Sequence, residues 1–231
     1  MSEQVWFENS LGSVLIVKVP ASEALAVWKR YRSQVEETGR WPVIIGNEES
    51  VRIQRESAER NVDVRERLRQ AEELQPQAII KARLDELFEE EEEDELFGED
   101  FKPSALQTGN PDPHDAPAIL REEGEISIAL LPSRHGWEAP AHLEYGSWNE
   151  YPSIAEHVAL LRDWEKRYGA EMLVLSSDTV ELLLSRPLTN VDEAKKVAAE
   201  WLAYSSDNDA GSLQFLAQGM LNTRFWISWW D

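Results

Sequence analysis

The chain has 231 residues, 42% of them hydrophobic, which is enough for one large core or two small ones. The absence of cysteine excludes disulfides and thiolate chemistry and fits a reducing compartment. A net charge of −21 would repel phosphate backbones, so nucleic-acid binding is not expected.

The N-terminal region gives no membrane signal. Its first cation is Lys18, and the apolar run over residues 14–19 is too short to span a bilayer or to act as a signal sequence. We therefore expect no membrane association and a cytoplasmic location.

Residues 1–50 carry the pattern of a β-α-β unit. The β-branched run over residues 13–19 predicts a buried strand. Apolar residues at helical spacing follow Ser22 and predict a helix that ends near Gly39. A second short strand is predicted over residues 41–46.

Residues 51–88 form a segment that is rich in charge and helical in pattern. Glu56 and Arg60 are spaced four apart, which supports a solvated helix, and Pro76 interrupts the pattern. The stretch 52–69 has six arginines against four acidic residues, a balance of only +2. Nucleic-acid contact through this stretch therefore ranks last among the functions considered. The pattern leaves open whether the segment packs on the core.

Residues 89–120 are predicted to form a mobile, acidic and proline-rich linker. The stretch 85–100 holds eleven carboxylates and no cation. Like charges at this density repel, and the composition has too little apolar surface to order itself. Two Asp-Glu-Leu-Phe repeats, at 85–88 and 94–97, could dock on a basic partner with an apolar groove. An unstructured insert is the favoured interpretation.

Residues 121–231 give the most regular pattern. Strands are predicted over 125–131, 171–176, 180–186 and 224–230, and helices are predicted after Ser153, after Asn190 and over 212–221. The order strand, helix, strand, strand, helix, strand is that of the split β-α-β arrangement in ferredoxin-like sandwiches. We therefore predict an α+β fold, a ferredoxin-like C-terminal sandwich with the N-terminal β-α-β unit packed on it.

The last seven residues, 225–231, include three tryptophans. In a closing strand these side chains would alternate between the two faces of the sheet. Because both sets are apolar, we expect cover on both faces, and we expect deletion of residues 229–231 to give insoluble or unfolded protein. Asp231 carries two carboxylates, its own and the terminal one, and is kept as a candidate for binding.

Several short motifs in the C-terminal part resemble one family. They are Tyr168-Gly169-Ala170-Glu171, Asp178-Thr179 and Trp229-Trp230-Asp231, which are weak singly and specific together. Residues 125–231 are similar to the bacterial domain-of-unknown-function 4253 family, and residues 20–46 fit its upstream half more loosely. The resemblance implies a bacterial protein and supplies no activity and no catalytic residue.

Metal and cofactor binding are not expected. His142, Glu144 and His157 could ligate a metal, yet the spacings typical of zinc or iron sites are missing. Surface or capping roles are favoured for these three residues. The sequence also lacks phosphate-loop and dinucleotide motifs, so no cofactor is predicted.

One group of residues could form a pocket. Trp148 and Asn149 lie in a predicted loop, His157 on a predicted helix, and Asp178 and Glu181 at a predicted hairpin. A carboxylate pair could do acid–base work if one pKa were raised. The competing and favoured interpretation is that Asp178 makes an Asx turn.

Tryptophans outside the predicted helix faces are candidates for partner contact. Of the ten tryptophans, those on helices fall on apolar stripes, whereas Trp137 and Trp148 do not. Aromatic residues beside acidic ones are common in interfaces. The full set of candidate ligand- or partner-binding residues is Trp137, Trp148, Asn149, His157, Asp178, Glu181 and Asp231.

Two classes of function remain open. The first is a non-enzymatic cytoplasmic binding protein, of the immunity or inhibitor type, with a basic protein as its partner. Its negative charge would speed association with a cationic surface. The second is an enzyme or small-ligand-binding domain that uses the pocket described above. No catalytic motif is present, so no catalytic residue is assigned and the first class is favoured.

Overall fold

The computed structural model describes residues 2–59, 63–90, 117–121, 123–147, 151–205, 213–221 and 223–230. Within these ranges one mixed sheet has the strand order β1-β2-β4-β3-β5-β6-β7. The strands are β1 (Gln4–Asn9), β2 (Gly12–Pro20), β3 (Trp41–Gly46), β4 (Glu125–Leu131), β5 (Ala170–Leu175), β6 (Thr179–Leu184) and β7 (Phe225–Trp229). The fold is therefore mixed α and β, as predicted.

Helices accompany the sheet along the whole described chain. They are α1 (Ala24–Ser33), α2 (Val35–Thr38), α3 (Glu48–Ala58), α4 (Val64–Glu72), α5 (Pro76–Glu90), α6 (Ala139–Leu143), α7 (Ile154–Tyr168), α8 (Val191–Tyr204) and α9 (Leu213–Met220). Short 3-10 helices cover Ala21–Glu23, Ala118–Arg121 and Gly136–Glu138. No helix in the described ranges is long and apolar enough to cross a membrane.

The predicted β-α-β unit is present as β2-α1-β3, but its two strands are not neighbours. Both pair antiparallel with β4, which lies between them. The split β-α-β arrangement thus involves the N-terminal strands. The N-terminal unit adds its strands to the sheet rather than packing on it.

The ferredoxin-like arrangement predicted for the C-terminal part is not confirmed. In that arrangement β4 and β5 would flank a strand from the same part of the chain and run parallel to each other. Instead β3 separates them, antiparallel to β4 and parallel to β5, and β5, β6 and β7 continue as an antiparallel series. All six residues of β3 are buried, and a strand that is apolar on both faces belongs at the centre of a covered sheet.

Helix ends follow the local sequence signals. The Ser153 side chain and Glu156 form a capping box at the start of α7, and Gly169 ends that helix with a φ of 64°. The Asn190 side chain accepts the backbone N–H of Glu193 and caps α8. The roles of Ser153, Gly169 and Asn190 were predicted from sequence, and they fix α7 and α8 beside the C-terminal strands.

The charged segment 51–88 packs on the core as three helices. Contacts join α4 to α6 and α7, and α5 to α7 and α8. Val64, Ala71, Ile79 and Ile80 supply its buried side chains. The division of the chain at residues 1–50, 51–88, 89–120 and 121–231 remains a prediction, although β4 pairs on both sides with strands from the first of these ranges.

The acidic stretch lies largely outside the described residues. Helix α5 continues to Glu90, and the description resumes at Pro117. There Ile119 is buried in a 3-10 helix that contacts the one over Ala21–Glu23. The predicted mobility of residues 89–120 is therefore not tested over residues 91–116.

Candidate functional site

The inner face of β7 packs into an aromatic cluster made of Tyr145, Tyr151, His157, Tyr204 and Trp230. Trp230 is buried and stacks on Tyr151 with ring centroids 4.7 Å apart. Its ring lies 5.0 Å from Tyr204 and 5.7 Å from His157. Aromatic pairs of this geometry add to the free energy of burial, so the cluster stabilises the C-terminal end of the chain.

His157 is sealed inside the aromatic cluster with an exposed fraction of 0%. Its Nδ1 lies 2.6 Å from the Tyr204 hydroxyl, and Nε2 has no hydrogen-bond partner among the described residues. Gly146, with a φ of +121°, lies against the ring, since a Cβ there would be 2.7 Å from its Cδ2. Only glycine allows this close approach.

The protonation states in the aromatic cluster are fixed by burial. Desolvation lowers the pKa of His157 to about 3, and the positive charge of Arg83 acts in the same direction. Burial also raises the pKa of Tyr204 well above its ordinary value. Both groups are therefore neutral near pH 7, and His157 is poorly suited to general acid–base catalysis.

Asp178 makes the turn between β5 and β6. Its Oδ1 accepts hydrogen bonds from the Ser176 hydroxyl at 3.1 Å and from the Thr179 hydroxyl at 2.9 Å. Its carbonyl oxygen accepts the backbone N–H of Trp230 at 3.0 Å. Asp178 thus lies at the predicted turn, but the side chain that accepts a backbone N–H there is that of Ser176, which binds the N–H of Thr179 at 3.2 Å.

Glu181 holds the end of the acidic segment against the sheet. The side chain is only 1% exposed, and its two oxygens accept the backbone N–H groups of Ala118 at 3.1 Å and Ile119 at 3.2 Å. These charge-assisted bonds satisfy a buried carboxylate, which would otherwise be costly. Glu181 therefore fastens the chain where it returns to the described fold.

A small polar pocket of about 290 Å³, the hairpin pocket, opens beside Asp178 and Glu181. The start of α3 forms its opposite wall. The lining residues are Asn47, Glu49, Ser50, Ala118, Ile119, Val174, Ser176, Ser177, Asp178, Thr179 and Glu181. No cluster of potential metal ligands occurs in the described ranges of the chain.

The β7 outer face consists of Phe225, Ile227 and Trp229. Ile227 is 37% exposed and Trp229 is 47% exposed. Ile227 lies opposite Glu181 in the sheet, so both side chains point to the same face. Cover on both faces of the last strand was predicted, and this prediction is wrong for Ile227 and Trp229. On the other face of β7, Trp226 packs against Trp201 of α8 with ring centroids 5.6 Å apart.

The outer edge of β7 is closed by α8. The Trp201 indole Nε1 donates to the carbonyl oxygen of Ile227 at 2.8 Å, and the Ser205 hydroxyl donates to that of Trp229 at 2.7 Å. Unpaired edge groups invite pairing with another chain. Trp201 and Ser205 occupy two of these outward carbonyl groups, beside the exposed side chains of the β7 outer face.

Trp137 lies away from the hairpin pocket and from the β7 outer face. Its ring stacks on His135 at 5.0 Å, and the Arg162 guanidinium lies 5.7 Å from its centroid. Arg162 also donates to the carbonyl oxygen of Ala71, which ties this corner to α4. Trp137 therefore contributes to packing between α4, α7 and the 3-10 helix that carries it.

His142 and Glu144, two of the possible metal ligands in the sequence, are engaged with protein groups. The Asn9 side-chain amide lies 3.0 Å from His142 Nδ1. Asn9 Oδ1 accepts the N–H of Leu11, so the NH₂ group of Asn9 faces the imidazole. Glu144 forms an ion pair with Arg67 at 3.3 Å.

The Glu165 carboxyl group has an unusual environment that the sequence did not predict. Glu165 on α7 has an Oε2 that is buried with no hydrogen-bond partner among the described residues. Desolvation raises its pKa to about 7, and the charge of Glu171 adds to the rise while Arg32 opposes it. Its neighbours come from α1 and β5, so only the folded chain brings these three residues together.

Of the predicted pocket residues that the structure describes, Asp178 and Glu181 line the hairpin pocket together, whereas His157 lies in the aromatic cluster. The Asp178 carbonyl oxygen accepts the backbone N–H of Trp230. Burial raises the pKa of Tyr145 in the aromatic cluster, and the charge of Asp178 adds to this rise. Glu181 points to the face of Ile227, and His157 lies under Trp230 on the other face. Trp148, Asn149 and Asp231 lie outside the described residues.

Residues 127–231 match the model of a family described as a domain of unknown function (DUF4253). No curated protein and no solved structure matches the chain. The matched range begins within β4 and contains β5, β6 and β7. The C-terminal part is therefore similar to that family, as the terminal motifs indicated, and β1, β2 and β3 come from outside the match.

Proposed function

We propose that this protein is a non-enzymatic binding protein for a basic protein partner, acting as a cytoplasmic immunity or inhibitor protein of a bacterium. The observation that carries the proposal is the β7 outer face, where Ile227 and Trp229 are exposed on a chain of net charge −21. Exposed aromatic and aliphatic side chains that are contiguous mark interaction surfaces.

Charge favours a cationic partner. Thr179 is the cross-strand neighbour of Trp229. The exposed residue Asp178 directly precedes Thr179 in the chain. An apolar patch with a carboxylate beside it fits a basic and aromatic or aliphatic surface. The overall negative charge would steer such a partner and raise the association rate.

The placement of the other candidate residues supports binding over catalysis. His157 is neutral and sealed, and the Glu181 carboxylate is occupied by backbone N–H groups. Catalytic groups need to reach one substrate position. These two are separated by the sheet.

A second candidate function, a small-ligand-binding domain, is favoured by the hairpin pocket of about 290 Å³ beside Asp178 and Glu181. This volume is near the lower limit of ligand sites. A thermal-shift screen of small polar compounds tests the idea. Stabilisation that disappears in Ser177→Tyr, a change that would fill the pocket, would favour it over the protein-binding proposal.

Capture from the native host tests the leading proposal. Immobilised protein is exposed to host lysate at low salt, and bound proteins are eluted by raising the salt. We expect a basic protein in near-stoichiometric amount, released by salt because screening weakens charge attraction. Absence of any stoichiometric protein, or capture of an acidic one, would overturn the proposal. A toxin gene beside the gene for this chain would support the immunity type.

A further inference from the structure

The two edges of the sheet differ in how their backbones are covered. At β7, Trp201 and Ser205 donate to the outward carbonyl oxygens of Ile227 and Trp229. At β1, no described residue hydrogen-bonds to the backbone of residues 4–8 from the side opposite β2. Because uncovered strand edges pair readily with extended segments, β1 is the edge able to accept another strand.

An added strand at this edge would find an exposed apolar side chain on one face of the sheet and a cavity on the other. Val5 is 60% exposed and pairs with Leu15 on one face of the sheet. The other face carries a cavity of about 820 Å³, the β1 cavity, which is lined by Trp6 and Ile16. An added strand would place alternate side chains beside Val5 and over the β1 cavity.

Most of the charges that line the β1 cavity are engaged in ion pairs. Arg52 is held by Glu49 and Glu56 of its own helix, and Arg55 is held by Glu59. In contrast, Glu125 forms no ion pair with any residue the structure describes. Glu48 and Lys18 make a 4.0 Å contact with both side chains highly exposed, so their opposite charges offset each other and Glu125 is the unbalanced charge among these residues.

We propose that the outer edge of β1 binds an extended basic segment of a partner protein by strand addition, with apolar side chains beside Val5 and basic ones over the β1 cavity toward Glu48 and Glu125. The proposal rests on the proposed function in that the partner is taken to be basic. A second copy of this chain is disfavoured as occupant, because each copy would bring a net charge of −21.

The bulge in β1 limits the length of the pairing. The register shifts between Val5 and Phe7, which leaves Trp6 as the extra residue. A bulge twists the edge and interrupts its regular hydrogen bonding. Binding of a short segment is therefore weak, and the longer contact with a whole partner supplies the rest of the affinity.

A synthetic peptide tests the edge directly and does not require the natural partner. The probe is a capped hexapeptide of alternating lysine and valine, titrated into the full chain and followed by backbone-amide NMR. Matched controls are the alternating glutamate and valine peptide, and the lysine peptide with its third residue replaced by proline. We expect shifts in the amides of residues 4–9 with the lysine peptide alone, because proline removes a pairing N–H and glutamate reverses the charge.

A pair of protein variants completes the test. Val5→Lys should lower the affinity for the lysine peptide about fivefold or more. Val5→Thr keeps the β propensity of the residue and should change this affinity little. Equal shifts with the proline peptide would mean attraction by charge alone and would overturn strand addition. Shifts elsewhere, no shifts, or a free protein that is already a dimer through residues 4–9 would overturn it as well. If the Val5→Lys variant captures a basic partner from host lysate as well as wild type does, only the proposal for the β1 edge fails. If wild type captures no partner, the proposed function fails, and the peptide titration still decides whether the β1 edge binds a strand.

Discussion

The indole Nε1 of Trp201 donates a hydrogen bond to the carbonyl oxygen of Ile227 over 2.8 Å, and this bond joins α8 to the last strand of the sheet. It covers an edge acceptor that would otherwise be open to another chain. The same strand presents Ile227 and Trp229 outward, so two of its edge carbonyl groups are covered while its outer face is partly exposed. This combination favours side-chain docking over strand addition at β7.

Trp201→Phe keeps most of the ring and removes this donor. We expect a loss of about 1 to 2 kcal/mol in the free energy of unfolding, because a partly buried carbonyl loses its partner. We also expect faster aggregation, since the edge of β7 is exposed. Trp164→Phe is the matched control, because it removes the Nε1 bond to Glu200 without touching the sheet edge. Equal aggregation of the two variants in light scattering would contradict this account.

The terminal tryptophans should differ sharply in their contribution to stability. Trp230→Ala removes a buried ring that stacks on Tyr151, and we expect a loss of about 3 to 5 kcal/mol. Trp229→Ala removes a half-exposed ring, and the loss should stay near or below about 1 kcal/mol. Urea denaturation measures both. Similar losses would show that the alternation of inner and outer side chains along β7 is wrong.

Glu165 should make stability fall as the pH rises. Its pKa in the folded state is about 7, above the ordinary value of 4.5, so the folded state binds the proton more tightly. Its contribution is fully present below the ordinary pKa and is lost as the pH passes through about 7. Glu165→Gln should therefore gain stability relative to wild type between about pH 5 and pH 8, by roughly 1 to 2 kcal/mol once solvent screening of this partly exposed group is allowed for.

The control for this pH dependence is Glu48→Gln, the same change at an exposed carboxylate. Its stability should follow wild type across the pH range. His157 acts in the opposite direction, because its pKa of about 3 lies below the ordinary value and its contribution is lost as the pH falls from about 6.5. A Glu165→Gln curve that runs parallel to wild type would contradict a raised carboxyl pKa.

The C-terminal part should not fold by itself. In the sheet, β4 pairs with β2 and β3, and β3 separates it from β5. A fragment of residues 121–231 would leave β4 without a neighbour and would expose one side of β5. We expect no cooperative thermal unfolding of this fragment by circular dichroism, in contrast to the full chain. A cooperative transition with a native-like aromatic spectrum would contradict this and would support the predicted domain boundary at residue 121.

Local features of the fold were predictable, and long-range ones were not. Ser153, Gly169 and Asn190 act on their own turns of helix, so the sequence shows where α7 and α8 begin or end. The position of β3 between β4 and β5 depends on pairing across more than eighty residues of chain, for which the periodicity of each strand gives no signal. The predicted ferredoxin-like order depends only on the succession of strands and helices along the chain.

In the candidate site, too, local features were predictable from the sequence and long-range contacts were not. The position of Asp178 at a turn follows from its neighbours in sequence and was predicted, whereas the acceptor of the Thr179 N–H is Ser176 and not the predicted Asp178. Glu181 binds backbone groups of Ala118 and Ile119, more than sixty residues away, and its anchoring role had no local signal. The exposure of Trp229 likewise depends on β7 being the last strand of the sheet, which only the completed topology reveals.

The most direct measurement compares capture of the basic partner from host lysate at low salt by wild type, by Trp229→Ser and by Phe215→Ser. Phe215, 68% exposed on α9, supplies the matched loss of an exposed aromatic ring. The account predicts near-stoichiometric capture by wild type and by Phe215→Ser and a loss of about tenfold or more with Trp229→Ser. Undiminished capture by Trp229→Ser, or no stoichiometric capture by wild type, would contradict it.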